Sequence, residues 1–429
     1  MPSSNSPTIQ EIYESGVQPT AGTLGHLTEL EQKALKQLWT KVLEHFEATK
    51  STPIKVTNSI VKPSKLVADR VNTSDDLQAS NWYKANSEHV NNIKTQTVND
   101  AVYLSGKTDP IVPSAFKPLF GDVRDSRLFY STFWYTCMLY SNPDTLLLNF
   151  LQTCKFEVNT AFDRLVKAIK WRAEQAIDEL MWYGESGMHN KTICEGVTVQ
   201  AGHDKFGYVV LIVRIRKNSA KERGSGAGEQ LTVFLFEQAA IKARSHGEHI
   251  VLMHDYSGFK MENVDMSLVK TVVMLVEEIH PQLTYCVINS VNSWLFTGVW
   301  SILKALQSAS LTSRTANVKN VEIMQSFIDK SQIIKDMGGD MPFEYKYVYP
   351  TKDENIKMFD TEGRMNAEAK LKSAVDRFME CTRAWTGKPG VEGYSDESRL
   401  EAAADFNSAA LALDPYIRAR FLYERQASA

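Results

Sequence analysis

The residues of this chain that could do chemistry are few and scattered. His254 and Tyr256 stand two apart in Ile250-Val251-Leu252-Met253-His254-Asp255-Tyr256. The two-residue period of a strand puts Ile250, Leu252, His254 and Tyr256 on one face and Val251, Met253 and Asp255 on the other. A lone histidine on an apolar face usually makes a hydrogen bond within a core, and less often serves as a ligand. His246-x-x-His249 has the spacing of a zinc pair, but Gly247 stands where the glutamate of His-Glu-x-x-His belongs. Gly224-Ser225-Gly226-Ala227-Gly228 lacks the Gly-Lys-Ser/Thr ending of a phosphate loop and the strand-to-helix setting of a nucleophile elbow, so it reads as a flexible turn. Cys137, Cys154, Cys194, Cys286 and Cys381 contain no Cys-x-x-Cys, which argues against a zinc ribbon or a disulfide framework. No catalytic triad or carboxylate pair emerges, so no enzyme is expected and no metal site.

Composition narrows the field further. The 429 residues are 43% hydrophobic and 23% charged, an ordinary globular balance. A net charge of -3 gives no whole-chain signal for nucleic acid. No apolar run reaches the roughly 18 residues of a spanning helix. Met1-Pro2-Ser3-Ser4-Asn5 lacks the basic start and apolar stretch of a secretory signal, which predicts an intracellular, cytoplasmic address.

The elements that must position these residues follow from periodicity. Residues 1–25, rich in Pro, Ser, Gly and Thr, are predicted to form a flexible leader. Thr28 and Glu31 have capping-box spacing, and Leu35, Leu38, Trp39, Val42, Leu43 and Phe46 continue an amphipathic helix over 26–48. Residues 49–128 read as a polar linker with short helices. A helical lobe is expected over 129–185. Over 186–345, Val209–Val213, Ile250–Asp255 and Thr284–Asn289 read as strands alternating with helices, the pattern of an α/β sheet with parallel crossovers. Helical patterns at 365–385 and 395–413, the second stopped by Asp414-Pro415, make 346–429 a helical extension.

Several segments then carry a resemblance. Pro143-Asp144-Thr145-Leu146-Leu147-Leu148-Asn149-Phe150-Leu151, continuing through Cys154-Lys155-Phe156 to Lys170-Trp171-Arg172, resembles the N-terminal helical signature of the CRAL-TRIO lipid-binding family. Gly202-His203-Asp204-Lys205-Phe206-Gly207, Asp255-Tyr256-Ser257-Gly258-Phe259, His280-Pro281, Ile288-Asn289 and Met337-Gly338-Gly339 resemble its later motifs, in order. The helix after Thr28 and the tail Leu413-Asp414-Pro415-Tyr416-Ile417-Arg418-Ala419-Arg420 are similar to a fungal branch of phosphatidylinositol-transfer-protein homologues.

The resemblance implies a helical lobe over a mixed, mostly parallel sheet, with an apolar pocket closed by a mobile gating helix. It implies non-enzymatic binding of one hydrophobic lipid and its exchange at membranes. The partners expected are that lipid and a transient membrane surface, with no nucleic acid. A cytoplasmic protein visiting endoplasmic reticulum, endosome or lipid-droplet membranes is the implied location. The gate falls on Trp294, Phe296, Val299, Trp300 and Leu303, in a stretch apolar almost all round. Pocket positions fall on Ile250, Leu252, His254, Thr271 and Ile288.

Headgroup positions depart from the family pattern. The Arg-Lys pair of phosphatidylinositol-binding members is Cys154-Lys155 here, their helix glutamate falls on Thr271, and their later lysine falls on Ser313 or Arg314. A phosphate site is thus reduced to Lys155, Ser313 and Arg314. The Ser-x-Thr of phosphatidylcholine-binding members is Ile250 and Leu252, which gives a more apolar wall. The expected ligand is phosphatidylinositol or a neutral sterol- or squalene-like lipid, with no other cofactor. Two alternatives stand beside it. Some fungal members bind haem through pocket histidine and tyrosine, which His254 and Tyr256 could offer to one iron; or the pocket is filled by side chains and the chain is an interaction scaffold.

Overall fold

The computed structural model describes residues 7–57, 116–187, 193–219, 226–291, 296–348, 354–388 and 395–427. The main helices and strands, in chain order, begin with α1 (Ile9–Ser15), α2 (Glu29–Thr49), β1 (Ile54–Lys55), β2 (Ser126–Arg127), α3 (Phe129–Cys137), α4 (Pro143–Thr153), α5 (Val158–Glu174) and α6 (Ile177–Tyr183). They continue with β3 (Thr198–His203), β4 (Val209–Arg214), α7 (Ala227–Ala243), β5 (Ile250–Asp255), α8 (Met266–Met274), β6 (Thr284–Ser290), α9 (Phe296–Leu306), β7 (Thr315–Val318), α10 (Thr361–Trp385) and α11 (Asp396–Ile417). The chain divides into two units, Met1–Ala21 with Thr192–Tyr347, and Gly22–Lys191 with Val348–Ala429. Among the described residues no helix is long and apolar enough to cross a membrane.

The first unit is built on a five-stranded mixed α/β sheet in the order β3-β4-β5-β6-β7. β3 runs antiparallel to β4, and every later neighbour is parallel, joined by the crossovers α7, α8 and α9. Val209-Val210-Leu211-Ile212-Val213 is apolar without alternation because a parallel strand is covered on both faces. One face carries Val210, Ile212, Val251, Met253, Cys286 and Ile288 into a core shared with Ile9 and Tyr13 of α1. Gly202, next to last in β3, has φ +75, and a Cβ there would run into the Gln332 carbonyl oxygen, so glycine is required.

α1 corrects the flexible leader expected over 1–25 within its described part; residues 1–6 lie outside the described residues. Thr8 and Glu11 cap the helix reciprocally and Gly16 closes it in the left-handed region, at φ 66. A seven-residue helix is marginal alone. Packing holds this one, since Ile9 and Tyr13, four apart on one face, are both buried. The Tyr13 hydroxyl donates to Asp204 at 2.5 Å, and the same carboxylate accepts from the Phe206 and Tyr208 amides, closing the turn into β4. Burial, against these hydrogen bonds, leaves the Asp204 carboxyl above its ordinary pKa.

The second unit gathers α2 to α6 with α10 and α11. Trp39 packs edge-on to Phe133 and Phe378 and stacks on Trp134. Asp144, buried at the start of α4, accepts from Trp39 Nε1 at 2.7 Å and takes both arms of Arg399 at 2.6 Å. Within the segment read as a linker, β1 pairs antiparallel with β2 and Phe116 packs on Trp182; residues 58–115 of that segment lie outside the described residues. α11 runs through Pro415 to Ile417, past its expected stop at Asp414-Pro415. Pro415 has no N–H to give the Leu411 carbonyl, so this last turn is held by one backbone bond fewer.

Candidate functional site

The sheet face opposite the α1 core bounds a cavity of about 130 Å³. Leu211 and Val213 of β4, Leu252 and His254 of β5, Tyr256 just beyond, and Asn289 of β6 form its floor. They come together because the parallel register sets Leu211 beside Leu252, Val213 beside His254 and His254 beside Asn289. The roof is helical: α7 contributes Leu231, Leu235 and Phe236, and α8 contributes Leu268, Val269 and Val272. With Asp265, the α8 residues repeat at i, i+3, i+4 and i+7, a single stripe of the helix.

The lining is mostly aliphatic, and among the described residues it contains no lysine or arginine. Its carboxylate, Asp265, caps α8 by accepting from the Ser267 amide at 2.9 Å. On the sheet the polar lining residues are Thr198, His254 and Asn289, with Tyr256 just beyond β5, and Asn218, Thr232, Asn263 and Gln307 are polar elsewhere in the lining. His254 Nδ1 lies 3.0 Å from Asn289 Oδ1. Burial holds the His254 pKa below its ordinary value, with the Asn289 bond opposing it. Burial raises that of the Tyr256 phenol. A neutral ring and a protonated phenol therefore face the cavity near neutral pH.

α9 closes one side. Phe296, Val299 and Leu303 are buried with Tyr256 and Phe259, and Trp300 packs against that cluster. Tyr256 and Phe296 have ring centroids 4.6 Å apart. Leu303 reaches the cavity lining. The helix is one-sided rather than apolar all round: Thr297, Gly298, Ser301 and Lys304 are exposed, with Ile302 among them. Beyond its end, the Ser308 amide donates to Glu277 at 2.8 Å, tying it to the π-helical turn Leu275–Ile279 that follows α8. Trp294 lies outside the described residues.

The other sequence-derived positions distribute unevenly. Leu252 and His254 line the cavity, whereas Ile250, on the same strand face, is fully buried and does not. Ile288 is a correction: its ladder partner is Met253, so alternation sends it to the α1 core on the opposite face, and Asn289 takes the cavity position. Thr271 is also a correction, since it lies off the α8 stripe and its hydroxyl turns back to the Ser267 carbonyl at 3.1 Å. Ser313 is exposed and bonds the Ser310 carbonyl. Arg314 donates to the Thr284 carbonyl at the start of β6, and burial pushes its pKa down despite Cys286, Glu277 and Tyr285. Neither lines the cavity, because both precede β7 at the end of the sheet where the parallel strands begin, while His254 and Asn289 sit near the other end. Lys155 belongs to the second unit, exposed and at φ 51 in the turn after α4. His246 and His249 bond separate carbonyls, those of Lys242 and Gln282. No cluster of metal-ligating side chains occurs among the described residues.

Asn289, named in the sequence within the Ile288-Asn289 motif, was missed as a cavity residue, and so was the α8 stripe. The spacing of Asp265, Leu268, Val269 and Val272 carried the second signal; nothing short of the strand register carried the first.

Comparison with known proteins bears on this geometry. Residues 194–339 match the model of the CRAL/TRIO domain. A CRAL-TRIO domain-containing protein of Schizosaccharomyces pombe is 25% identical over 418 residues, covering 94% of this chain and 91% of that protein. The phosphatidylinositol transfer protein CSR1 of Eremothecium gossypii is 24% identical over 298 residues, 66% of this chain and 67% of that protein. Among solved structures, the crystal structure of Sfh5 aligns with 48% of this chain and 80% of its own at 16% identity, with a TM-score of 0.38.

Proposed function

We propose, from the premise that residues 194–339 form a CRAL/TRIO domain, that this chain binds one neutral hydrophobic lipid, sterol- or squalene-like, and exchanges it at membrane surfaces without covalent chemistry. The observation that carries this reading is the cavity wall: mostly aliphatic on both sheet and helices, with no lysine or arginine among the described lining residues. A phosphate buried there would go without a counter-charge, which costs several kcal/mol on the order of any buried ion. The relative named as a phosphatidylinositol transfer protein supports lipid carriage as the class of activity. Burial of a lipid tail contributes about 0.8 kcal/mol per CH₂, enough for a long chain or ring system to bind without a headgroup contact.

A cavity of about 130 Å³ is close to the roughly 150 Å³ void that takes one benzene ring. A whole lipid therefore needs a wall to move. α9 is the wall suited to this, because it packs on Tyr256 and Phe259 through a single stripe and presents its other side to solvent. Vesicle-to-vesicle transfer tests the proposal: the purified chain should accelerate movement of a fluorescent sterol between neutral vesicles. Acceleration of phosphatidylinositol transfer with none for sterol would overturn it.

A second reading has one observation in its favour. His254 and Tyr256 lie on one wall with ring centroids 6.2 Å apart, a placement open to haem. A hemin titration that yields no Soret shift removes it.

A further inference from the structure

The polar corner of the cavity has a defined hydrogen-bonding sense. Asn289 Nδ2 donates to Asn317 Oδ1 at 2.9 Å. With its nitrogen committed there, Asn289 presents its oxygen to His254 Nδ1 at 3.0 Å. Nδ1 therefore carries the imidazole proton, and Nε2 is left as a lone-pair acceptor. Among the described residues Nε2 has no hydrogen-bond partner.

Tyr256 supplies the complement. It is 4% exposed, lines the same cavity, and its ring is held by Phe259 at 5.3 Å and Phe296 at 4.6 Å between centroids. Its hydroxyl has no hydrogen-bond partner among the described residues. The hydroxyl is not sealed within the core but opens on the cavity, where a bound ligand would meet it. The two rings stand 6.2 Å apart on one wall. This corner thus offers one acceptor and one donor, both uncharged, at the edge of an aliphatic space.

Resting on the neutral-lipid reading above, we infer that His254 and Tyr256 are specificity-determining residues for a lipid alcohol, whose hydroxyl donates to His254 Nε2 and accepts from the Tyr256 hydroxyl. A hydroxyl meets both groups at once. A ketone or ester carbonyl accepts from Tyr256 and leaves His254 unmet, and a hydrocarbon leaves both unmet. Sites that hydrogen-bond a ligand group reject analogues lacking it, because the protein's own buried polar atoms are then left without partners.

The test uses the full-length chain stripped of co-purified lipid and three tritiated probes on one skeleton: cholesterol, cholestanone and cholestane. Cholesterol should bind tighter than cholestane by about tenfold or more, with cholestanone between. His254→Phe and Tyr256→Phe should each bring cholesterol affinity down toward the cholestane level, and His254→Gln, which keeps an acceptor, should restore part of the preference. Equal affinity for the three probes, or a preference unchanged in the Phe variants, overturns the inference while the neutral-lipid reading stands. Binding of none of them by a chain that carries a phospholipid overturns both. A Soret band on adding hemin that is lost in Tyr256→Phe assigns the pair to haem and overturns the alcohol assignment.

Discussion

Asn289 stands beside His254 across the β5–β6 ladder, and its Oδ1 lies 3.0 Å from His254 Nδ1. That pairing fixes a polar corner of a mostly aliphatic wall, and it exists because two parallel strands meet in one register. The cavity's chemistry is therefore a property of the sheet as well as of the helices that cover it.

Filling the cavity should remove ligand before it removes the fold. Leu252 is 1% exposed and lines the space. Leu252→Trp is expected to lower stability by about 1–3 kcal/mol through overpacking. Lipid recovered by extraction should fall by an order of magnitude or more. Circular dichroism with extraction on the same sample checks both, and unaltered lipid content would place the ligand elsewhere.

Asp144 and Arg399 form a buried two-armed ion pair that also holds Trp39. Removing one partner strands the other charge, so Asp144→Ala should cost about 3–5 kcal/mol. Asp144→Ala with Arg399→Met should be more stable than Asp144→Ala alone. Urea midpoints of the three proteins test this; a double variant no better than the single would mean that the loss is packing rather than charge.

How much of this was legible in the sequence differs by element. The strands β4, β5 and β6 and the helix α2 follow from apolar runs and spacing, because periodicity records which face is buried. The face of Leu252 and His254 followed from alternation along one strand. Ile288 did not, because its face depends on the offset between β5 and β6, which no single strand encodes. α1 escaped notice because its signal is a capping box, Thr8 with Glu11, around a helix too short to show a period. Arg314 was proposed from a family position, and its donation to the Thr284 carbonyl is a long-range contact that local spacing does not reveal.

α1 should contribute measurably to the first unit. Tyr13→Phe removes the donor to a buried carboxylate and is expected to cost about 1–3 kcal/mol. A urea midpoint unchanged from wild type would contradict a stabilising role for the Tyr13–Asp204 hydrogen bond.

The C-terminal arginines predict a pH dependence. Burial works against the Asp414 carboxylate, but Arg418 and Arg420 hold its pKa below the ordinary range. Glu424 is likewise lowered, against burial, by its bonds to Arg418 and by Arg420. Both folded pKa values lie below the unfolded ones of about 4. Their stabilisation is present above that pH and is lost as pH falls through the folded values. Arg418→Gln should therefore be destabilised at pH 7, with the gap to wild type narrowing below about pH 4. A gap independent of pH would exclude the carboxylates as its source.

The most direct measurement is native mass spectrometry with lipid extraction on the purified full-length chain. The account predicts one uncharged lipid per chain, rich in a free alcohol and displaced in Leu252→Trp. A bound phosphatidylinositol, or an empty chain that takes up no sterol, would contradict it.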